Sequence, residues 1–234
     1  MAKDITNVET TIIKTGALGL LGNKGSCIVR FNYFMTSLVF SCGHFASGED
    51  KHIARIEELM GIMDSSLKIN QKKESKFREH DVAFIFGDLN FRIDLDNNQC
   101  RQLIKTQRHE ILRRFDQFHI EKQLNPNIAN IEEGELDFDP TYKFEINSNN
   151  YDTSKKQRVP SWCDRIFWKK TMFIKLVKYN SVNYKLSDHR PIYGIFIVKF
   201  VKTLDEIINC NQDSKKESKL FINPPNIRIL NINL

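Results

Sequence analysis

The sequence lacks the features of a secreted or membrane-spanning protein. Its five cysteines are odd in number, widely spread, and form no CxxC pair, which favours a reducing, intracellular setting. The first four residues, MAKD, are not followed by the apolar segment of a signal peptide. The longest apolar run, near Ile192 to Val201, is too short to cross a bilayer and contains Lys199. We therefore expect a soluble protein.

The composition indicates one globular domain with a basic surface. A chain of 234 residues, 41% hydrophobic and 27% charged, can bury one sizeable core. The net charge is +6 and the sequence pI is about 9.0. This balance indicates either an anionic partner, such as nucleic acid, an acidic membrane or a phosphorylated small molecule, or only a solvated basic surface. One short stretch concentrates basic residues: Lys155, Lys156, Arg158 and Arg165.

The periodicity along the chain predicts alternating strands and helices, which favours an α/β fold. Strands are expected at residues 26–32, 36–42, 82–86, 165–168, 173–178 and 192–200. Apolar residues at helical spacing predict helices over 53–67 and 98–123. Beyond Lys202 the sequence becomes polar and rich in Asn and Lys, so we expect a body over residues 1–202 and a loosely held tail over 203–234.

Two polar motifs lie at the ends of predicted strands, one hundred residues apart. GDLN (residues 87–90) follows the apolar run VAFIF, and SDHR (187–190) precedes the apolar run IYGIFIV. In layered α/β proteins, strand ends hold catalytic groups rigidly while leaving them open to solvent. A carboxylate and an amide at one strand end, with an Asp-His pair at another, suit metal-assisted attack by water.

Each of these residues also has a purely structural interpretation. On an extended segment Asp88 and Asn90 would face the same way and could hold a water, but Gly-Asp and Asn are also common turn residues. His44 follows a predicted strand and a glycine, where packing or capping roles are common. For His189, the carboxylate of Asp164 could fix the imidazole in one tautomer. Asp164 could instead form an ion pair with Arg165.

Six blocks, in this order, resemble the inositol polyphosphate 5-phosphatases of the endonuclease/exonuclease/phosphatase superfamily. They are GLLGNKGS, GHFASGEDKHIAR, FIFGDLNFRID, PTYKF, YDTSKKQRVPSWCDRIFW and SDHRP. The resemblance runs from about Gly16 to Phe200. It implies a deoxyribonuclease I-like fold, which is a layered α/β sandwich of two packed mixed β-sheets flanked by helices.

The resemblance also implies roles for single residues. Asp88 is similar to the family residue that deprotonates or orients the attacking water, and Asn90 to its positioning partner. His189 held by Asp164 matches the His-Asp pair that contacts the phosphoryl group. His44 matches a second imidazole that stabilises charge on the phosphoryl oxygens. The family uses a divalent cation, expected here to be Mg²⁺, and the resemblance places Asp188 near it.

Substrate recognition is implied by the basic block and by the glycine-rich turn. The positions that hold the phosphate next to the scissile one are matched by Tyr142, Lys143, Lys156 and Arg158. Asn23 and Lys24 match a family loop near the substrate. Leu18, Leu20 and Leu21 beside that loop could touch lipid chains or belong to the core.

One departure from the family pattern concerns the metal site. In the family, a strand-borne Asn and the Glu that is the principal metal ligand lie upstream of the glycine-rich turn. Here Met1 to Thr15 precede that turn, with only Asp4 and Glu9 as acids. We therefore expect a partial domain without its first strands and without that glutamate. Such a chain is either part of a longer enzyme or a short form with impaired catalysis.

Together these observations predict a Mg²⁺-dependent phosphatase that removes the 5-phosphate from phosphoinositides or soluble inositol polyphosphates by direct attack of water. The alternative is an impaired module that binds phosphoinositides without hydrolysing them. A nuclease of the same superfamily would leave the PTYK and KKQR blocks unexplained, so no nucleic acid partner is expected. The predicted location is cytoplasmic and peripheral to an anionic membrane surface.

Overall fold

Two packed β-sheets, a two-stranded hairpin and four α-helices make up the described part of the computed structural model, which covers residues 4–16, 21–70, 73–202 and 228–233. The strands are β1 (Ile5–Gly16), β2 (Leu21–Tyr33), β3 (Thr36–His44), β4 (Ser66–Asn70), β5 (Lys73–Lys76), β6 (Val82–Asp88), β7 (Ile131–Glu133), β8 (Asp164–Lys169), β9 (Ile174–Ser181), β10 (Ile192–Val198) and β11 (Arg228–Asn233). The helices are α1 (His52–Asp64), α2 (Asn97–Lys105), α3 (His109–Arg113) and α4 (Gln117–Leu124).

The larger sheet has six strands in the order β1-β2-β3-β6-β8-β7. β3 and β6 run parallel, while the other neighbours in this sheet are antiparallel. The smaller sheet, β11-β10-β9, is antiparallel throughout. The layered α/β sandwich is therefore confirmed, but only the larger of the two sheets is mixed. β4 and β5 form a separate two-stranded hairpin.

The central strands of the larger sheet are buried on both faces, and two hydrophobic clusters result. On one face Phe84 of β6 packs against Phe196 of β10, with ring centroids 4.9 Å apart, and this cluster joins the two sheets. On the other face Ile85 belongs to a cluster with Leu59 and Ile62 of α1. Because β6 is covered on both sides, it shows a continuous apolar run rather than an alternating one. This central strand ends at Asp88.

The predicted strands and helices are present, with differences at their ends. The predicted first helix ends at Asp64, and Leu67 is buried in β4 instead. The stretch 98–123 is divided into three helices, because α2 and α3 both end in turns. β1 was not predicted, since its sequence ITNVETTIIKTG is mostly polar and exposed. It pairs along its length with the more apolar β2.

Part of the predicted polar tail has a defined structure. Arg228–Asn233 forms β11, which pairs antiparallel with β10 from Tyr193↔Asn233 to Val198↔Arg228. Residues 203–227 and 234 of the predicted tail lie outside the described residues, as do Leu18 and Leu20 of the glycine-rich turn. Among the described helices, none is long and apolar enough to span a membrane.

Acidification is expected to destabilise the fold through His80. This imidazole is 2% exposed; its Nδ1 lies 3.1 Å from the carbonyl oxygen of Lys76, and its Nε2 faces Nε of Arg30 at 3.4 Å. Burial, assisted by Arg30, lowers the pKa of His80 in the folded state, although the Lys76 and Phe77 carbonyls oppose the shift. Below about pH 6.5 the unfolded chain binds a proton that the folded chain resists. Stability therefore falls as pH decreases from about 6.5.

Urea unfolding at pH 7.5 and pH 5.5 measures this effect. His80→Gln should show a smaller loss of stability between the two pH values than the parent chain, because the proton uptake on unfolding has been removed. The exposed His52 supplies a matched control, and His52→Gln should retain the parent's pH dependence. An unchanged pH dependence in His80→Gln would show that His80 is not responsible.

Candidate active site

Three strand ends bring the predicted catalytic residues together. In the larger sheet Asp88 at the end of β6 lies between His44 of β3 and Asp164 of β8, each its register partner. His189 enters from the segment before β10, and its Nδ1 is 2.8 Å from Oδ2 of Asp164. One ligand atom from each of Asp88, Asp164 and His189 lies within 4.8 Å of the other two. We call these three residues the acid–imidazole cluster.

Asp88 makes a turn hydrogen bond and also faces the candidate site, so both sequence interpretations apply to it. Its Oδ1 accepts a hydrogen bond from the backbone N–H of Asn90 at 3.2 Å, while its Oδ2 is 3.4 Å from Nε2 of His44. Asn90 adopts a left-handed φ of 56°, so the two residues do not share a face of an extended segment as expected. The Asn90 amide is buried and donates to the carbonyl oxygen of Phe45 at 3.2 Å. Asn90 therefore holds the segment that follows His44.

A backbone contact between β3 and β6 leaves no room for a side chain before Asp88. Gly87 has a φ of +126°, and a Cβ there would lie 2.2 Å from the carbonyl oxygen of Gly43. Gly87→Ala should lower the free energy of unfolding by more than about 1 kcal/mol, because both the backbone angle and the clash oppose alanine. At Gly61 in α1, an added Cβ would meet nothing within 4 Å. Gly61→Ala should therefore stabilise the chain when both variants are compared by chemical denaturation. Equal changes in stability for Gly87→Ala and Gly61→Ala would contradict the close contact between Gly87 and Gly43.

Burial and neighbouring charges shift the pKa values of Asp88 and of both histidines. Burial, and then the Asp164 carboxylate, raises the pKa of Asp88 above its ordinary value, although both histidines oppose this. Burial disfavours charge on His189 too, but the hydrogen bond and charge of Asp164 outweigh it and raise the pKa of His189. Burial and the Lys24 ammonium lower the pKa of His44. The pKa values of Asp88 and His189 are thus both raised, whereas that of His44 is lowered.

Two of the predicted neighbours reach this site from β2 and from the segment after Pro140. Nζ of Lys24 is hydrogen-bonded to Nε2 of His44; when Lys24 is charged, its ammonium donates and the imidazole nitrogen accepts. The ring of Tyr142 lies 4.6 Å from the ring of His189. Nζ of Lys143 is 3.6 Å from Oδ2 of Asp188. Asn23 is exposed on the same strand as Lys24.

Hydrogen bonds to Asp152 shape the loop that carries the second half of the basic block, Lys156 and Arg158. The Asp152 carboxylate accepts hydrogen bonds from the backbone N–H groups of Ser154 and Arg158, at 3.0 and 2.9 Å. This closes the loop on which Lys156 is exposed. Nη1 of Arg158 is 3.5 Å from Oε1 of Glu49. The Arg158 side chain therefore forms a partly exposed ion pair with the segment before α1.

Several buried residues that support the site were not predicted. Thr141 donates to Oδ2 of Asp164 at 3.1 Å, so this oxygen is shared with His189. Arg92 is hydrogen-bonded to the side chain of Asn90, and its guanidinium lies 4.6 Å from the Tyr142 ring centroid. Thr141 lies within the PTYKF block, and Arg92 lies within the FIFGDLNFRID block. The blocks contained this signal, but buried positioning roles follow only from three-dimensional contacts.

A buried arginine likewise fixes the loop after His44. Arg55 of α1 is fully buried and donates to the carbonyl oxygens of Ala46 and Gly48, at 2.9 and 2.7 Å. Burial, with Arg92 nearby, lowers the pKa of Arg55 to about 10. The Glu58 carboxylate accepts from the N–H of Ala46 at 2.8 Å. One helix therefore holds the loop through both its N–H and its carbonyl groups.

The donor set of the acid–imidazole cluster fits a divalent cation. Asp88 and Asp164 are like charges on adjacent strands, and their repulsion contributes to the raised pKa of Asp88. A cation between them would relieve that repulsion, and Mg²⁺ binds through one or two carboxylates together with water and substrate phosphates. Asp188, the ligand suggested by the resemblance, is not in this cluster among the described residues and is paired with Lys143.

Comparison with known proteins links the chain to a family of phosphoesterases. Residues 1–195 match Endonuclease/Exonuclease/phosphatase family 2. Synaptojanin of Caenorhabditis elegans is 37% identical over 193 residues, covering 81% of this chain and 17% of the relative. The type II inositol 1,4,5-trisphosphate 5-phosphatase of Mus musculus is 33% identical, covering 87% of this chain and 22% of the relative. The chain thus spans about a fifth of these relatives' length.

A solved structure shows the same arrangement of strands and helices. It is the inositol polyphosphate 5-phosphatase domain of SPsynaptojanin, in complex with inositol (1,4)-bisphosphate and a calcium ion. The TM-score is 0.78 and the sequence identity is 32%. The alignment covers 93% of this chain and 65% of that domain. The similarity extends over nearly all of the chain.

Proposed function

The chain belongs to Endonuclease/Exonuclease/phosphatase family 2, and from this we propose that it hydrolyses the 5-phosphate of phosphorylated inositols. The observation that carries the proposal is the acid–imidazole cluster, in which His189 is held 2.8 Å from Asp164 beside Asp88. The solved relative contains inositol (1,4)-bisphosphate, which is the compound left when inositol 1,4,5-trisphosphate loses its 5-phosphate. The proposed substrates are phosphoinositides or soluble inositol polyphosphates.

In this proposal Asp88 accepts the proton of the attacking water. Its carboxylate lies at the end of β6 within the cluster, where it can take this proton from a water beside the substrate. His189 is held by Asp164, which also accepts a hydrogen bond from Thr141, and in this proposal the protonated imidazole donates a hydrogen bond to a phosphoryl oxygen. Asn90 and Arg55 fix the segment that carries His44, whose imidazole faces the same region. Water attacks the phosphorus directly, and no covalent intermediate with the protein is required.

The proposed cofactor is Mg²⁺, held by Asp88 and Asp164 of the cluster. When bound, it would neutralise charge on the phosphoryl oxygens and orient the substrate. The chain's own contribution is to place two carboxylates on adjacent strands, where their register fixes the distance between them. The calcium ion in the solved relative is consistent with an oxygen-ligated divalent site.

The phosphate next to the scissile group is proposed to contact Tyr142, Lys143, Lys156 and Arg158. The Tyr142 ring lies tilted beside the His189 ring, so a phosphate next to Tyr142 would lie close to the reaction centre. Lys143 would exchange its ion pair with Asp188 for the incoming phosphate. The side chain of Arg158 would likewise leave Glu49. Because both existing partners are partly exposed, these exchanges cost little.

The same chemistry suggests where the protein acts. Phosphoinositide headgroups lie at the anionic, cytoplasmic face of membranes, and the net charge of +6 favours association with such a surface. We therefore propose a cytoplasmic protein that associates peripherally with anionic membranes. Nucleic acid is not a proposed partner, since the basic block is matched by inositol phosphatases.

Phosphate release with and without Mg²⁺ tests the proposal against its alternatives. Inositol 1,4,5-trisphosphate and phosphatidylinositol 4,5-bisphosphate are the substrates, and duplex DNA is the control for nuclease activity. We expect Mg²⁺-dependent release from the inositol compounds and no DNA cleavage. Headgroup binding without turnover, lost in Lys156→Gln and Arg158→Gln, would instead indicate a non-catalytic binding module.

A further inference from the structure

Three large apolar side chains project into solvent beside the acid–imidazole cluster. Ile146, Tyr184 and Leu186 are 62%, 56% and 66% exposed. Isolated exposed apolar residues are common on soluble proteins. These three differ because they lie on two neighbouring segments that both lead into the site. We call them the apolar rim.

Backbone hydrogen bonds join the two rim segments. The N–H of Asn147 donates to the carbonyl oxygen of Lys185 at 2.8 Å, and the N–H of Phe144 donates to that of Asp188 at 2.9 Å. Farther along, Tyr142 and His189 are bridge partners. The two segments therefore run antiparallel from the apolar rim into the site. Ile146 and Leu186 consequently lie only a few residues from the catalytic groups.

The buried side chain of Arg190 packs against and hydrogen-bonds both rim segments. The Arg190 guanidinium lies 3.9 Å from the ring centroid of Phe144 and donates to the carbonyl oxygen of Ser187 at 3.0 Å. It also bonds the carbonyl oxygen of Ser148. Arg190 thus ties the segment of Ile146 to the segment of Leu186. The apolar rim is presented by an ordered pair of segments.

Four lysines lie on the rim segments or on the loop attached to them. Lys143 and Lys185 lie on the rim segments, and the adjacent loop carries the exposed Lys155 and Lys156. That loop is attached to the rim, since the Glu145 carboxylate accepts from the N–H of Thr153 at 2.8 Å. Three acids lie on these segments: Glu145 and Asp152 accept hydrogen bonds from backbone N–H groups, and Asp188 is paired with Lys143. The rim thus combines apolar tips with positive charge.

This combination favours a lipid bilayer over a protein partner. Lysine is depleted at protein–protein interfaces, whereas lysines around apolar side chains are typical of surfaces that bind anionic membranes. Lysine stems can also lie along the apolar region while their ammonium groups reach the headgroups. Any headgroup processed at the cluster would still be joined to lipid beside this rim.

We propose that the apolar rim of Ile146, Tyr184 and Leu186, with Lys155 and Lys185, inserts into the headgroup region of anionic lipid bilayers and holds the site against the membrane. This inference rests on the proposed function for its choice of partner. It assigns the membrane contact to residues outside the catalytic and phosphate-binding groups. Membrane affinity and hydrolysis are therefore separable by mutation.

Vesicle sedimentation of the full chain tests the apolar contribution. The probes are phosphatidylcholine vesicles with and without phosphatidylserine. Replacing Ile146, Tyr184 and Leu186 with serine should weaken partitioning onto the phosphatidylserine vesicles by at least about tenfold, because three inserting side chains are lost. The matched control replaces Leu124, Val177 and Met172, which are exposed elsewhere, by serine. The control should bind like the parent, and equal losses in both would overturn the proposal.

The lysines give a second, independent measurement. Lys155→Gln with Lys185→Gln should weaken binding to phosphatidylserine vesicles by about 5-fold per lysine, and should leave the weaker binding to pure phosphatidylcholine unchanged. Binding that does not depend on phosphatidylserine would contradict the proposal. So would retention of vesicle binding in the apolar rim variant.

Hydrolysis of soluble inositol 1,4,5-trisphosphate separates this inference from the proposed function. The rim variant should turn over the soluble substrate at the parent rate but lose activity on phosphatidylinositol 4,5-bisphosphate in vesicles. A parent chain without activity on either substrate refutes the proposed function, while the vesicle measurement still decides the inference. If the rim variant loses equal activity on the soluble and the vesicle substrate, the rim has a structural role and the membrane inference is overturned.

Discussion

Asp88→Asn should lower the turnover of inositol 1,4,5-trisphosphate by about 10²–10⁴-fold, because the proposed general base is removed. The substitution keeps the shape of the side chain and an oxygen that can accept from the N–H of Asn90. It removes the carboxylate that faces His44 and lies beside Asp164. Headgroup affinity should remain within about 2-fold of the parent value, because the proposed phosphate-binding residues are untouched. Initial rates and equilibrium binding of the labelled headgroup give the two values.

Asp137→Asn is the matched control for this substitution. Asp137 is an exposed carboxylate paired with Arg113, with an N–O distance of 2.8 Å, and it lies outside the cluster. Its replacement should leave turnover unchanged. Similar rates for Asp88→Asn and the parent chain would remove Asp88 from the catalytic role. A parallel loss of headgroup binding would indicate that the substitution had disturbed the site as a whole.

Arg165→Leu should lower the free energy of unfolding by about 3–5 kcal/mol, because it leaves two buried carboxylates without their cation. Arg165 is fully buried on β8 and its Nη1 is 2.9 Å from Oδ2 of Asp116. Its Nη2 and Nε each lie 2.5 Å from an oxygen of Glu133. Burial raises the pKa of Glu133, and Arg165 opposes that shift. Chemical denaturation measures the difference.

A second arginine offers a direct comparison. Arg113 also bridges two carboxylates, but Glu135 and Asp137 are 65% and 68% exposed in their side chains. Arg113→Leu should therefore cost only about 0–1 kcal/mol. Replacing Arg165, Asp116 and Glu133 together by apolar residues should recover much of the loss, since no unpaired charge remains. Equal destabilisation by Arg113→Leu and Arg165→Leu would contradict the importance of burial.

Arg165 also shows how structure decided between two interpretations of the sequence. Asp164 could have paired with its neighbour Arg165, but successive residues of a strand face opposite sides. Arg165 points into the core toward Asp116 and Glu133. Asp164 faces the site and holds His189. The sequence interpretation that assigned Asp164 to His189 agrees with this geometry.

Much of the fold followed from apolar patterning, and the exceptions have physical causes. β6 was predicted from the run VAFIF because it is buried on both faces. β1 escaped prediction because an edge strand with polar, exposed residues carries almost no apolar signal. Leu67 continued the helical spacing of α1 but belongs to a hairpin strand, since apolar spacing cannot mark where a helix ends.

For the site, the motifs predicted which residues meet but not how they are held. GDLN and SDHR supplied Asp88 and His189, which the sheet brings into one cluster. The extended geometry expected for Asp88 and Asn90 was wrong, because the strand ends and Asn90 turns with a positive φ. Arg55 and Arg92 were not found, since a buried arginine that binds carbonyl or amide oxygens leaves no pattern in one sequence.

The central claim is that the acid–imidazole cluster hydrolyses one phosphate ester of an inositol ring. The most direct measurement is phosphate release from inositol 1,4,5-trisphosphate by the full chain with Mg²⁺, with the product identified by phosphorus NMR. The account predicts one phosphate released per substrate molecule, inositol 1,4-bisphosphate as the product, and release slowed at least about 100-fold in Asp88→Asn. Release at the same rate from the parent and Asp88→Asn, or loss of a phosphate other than the 5-phosphate, would contradict it.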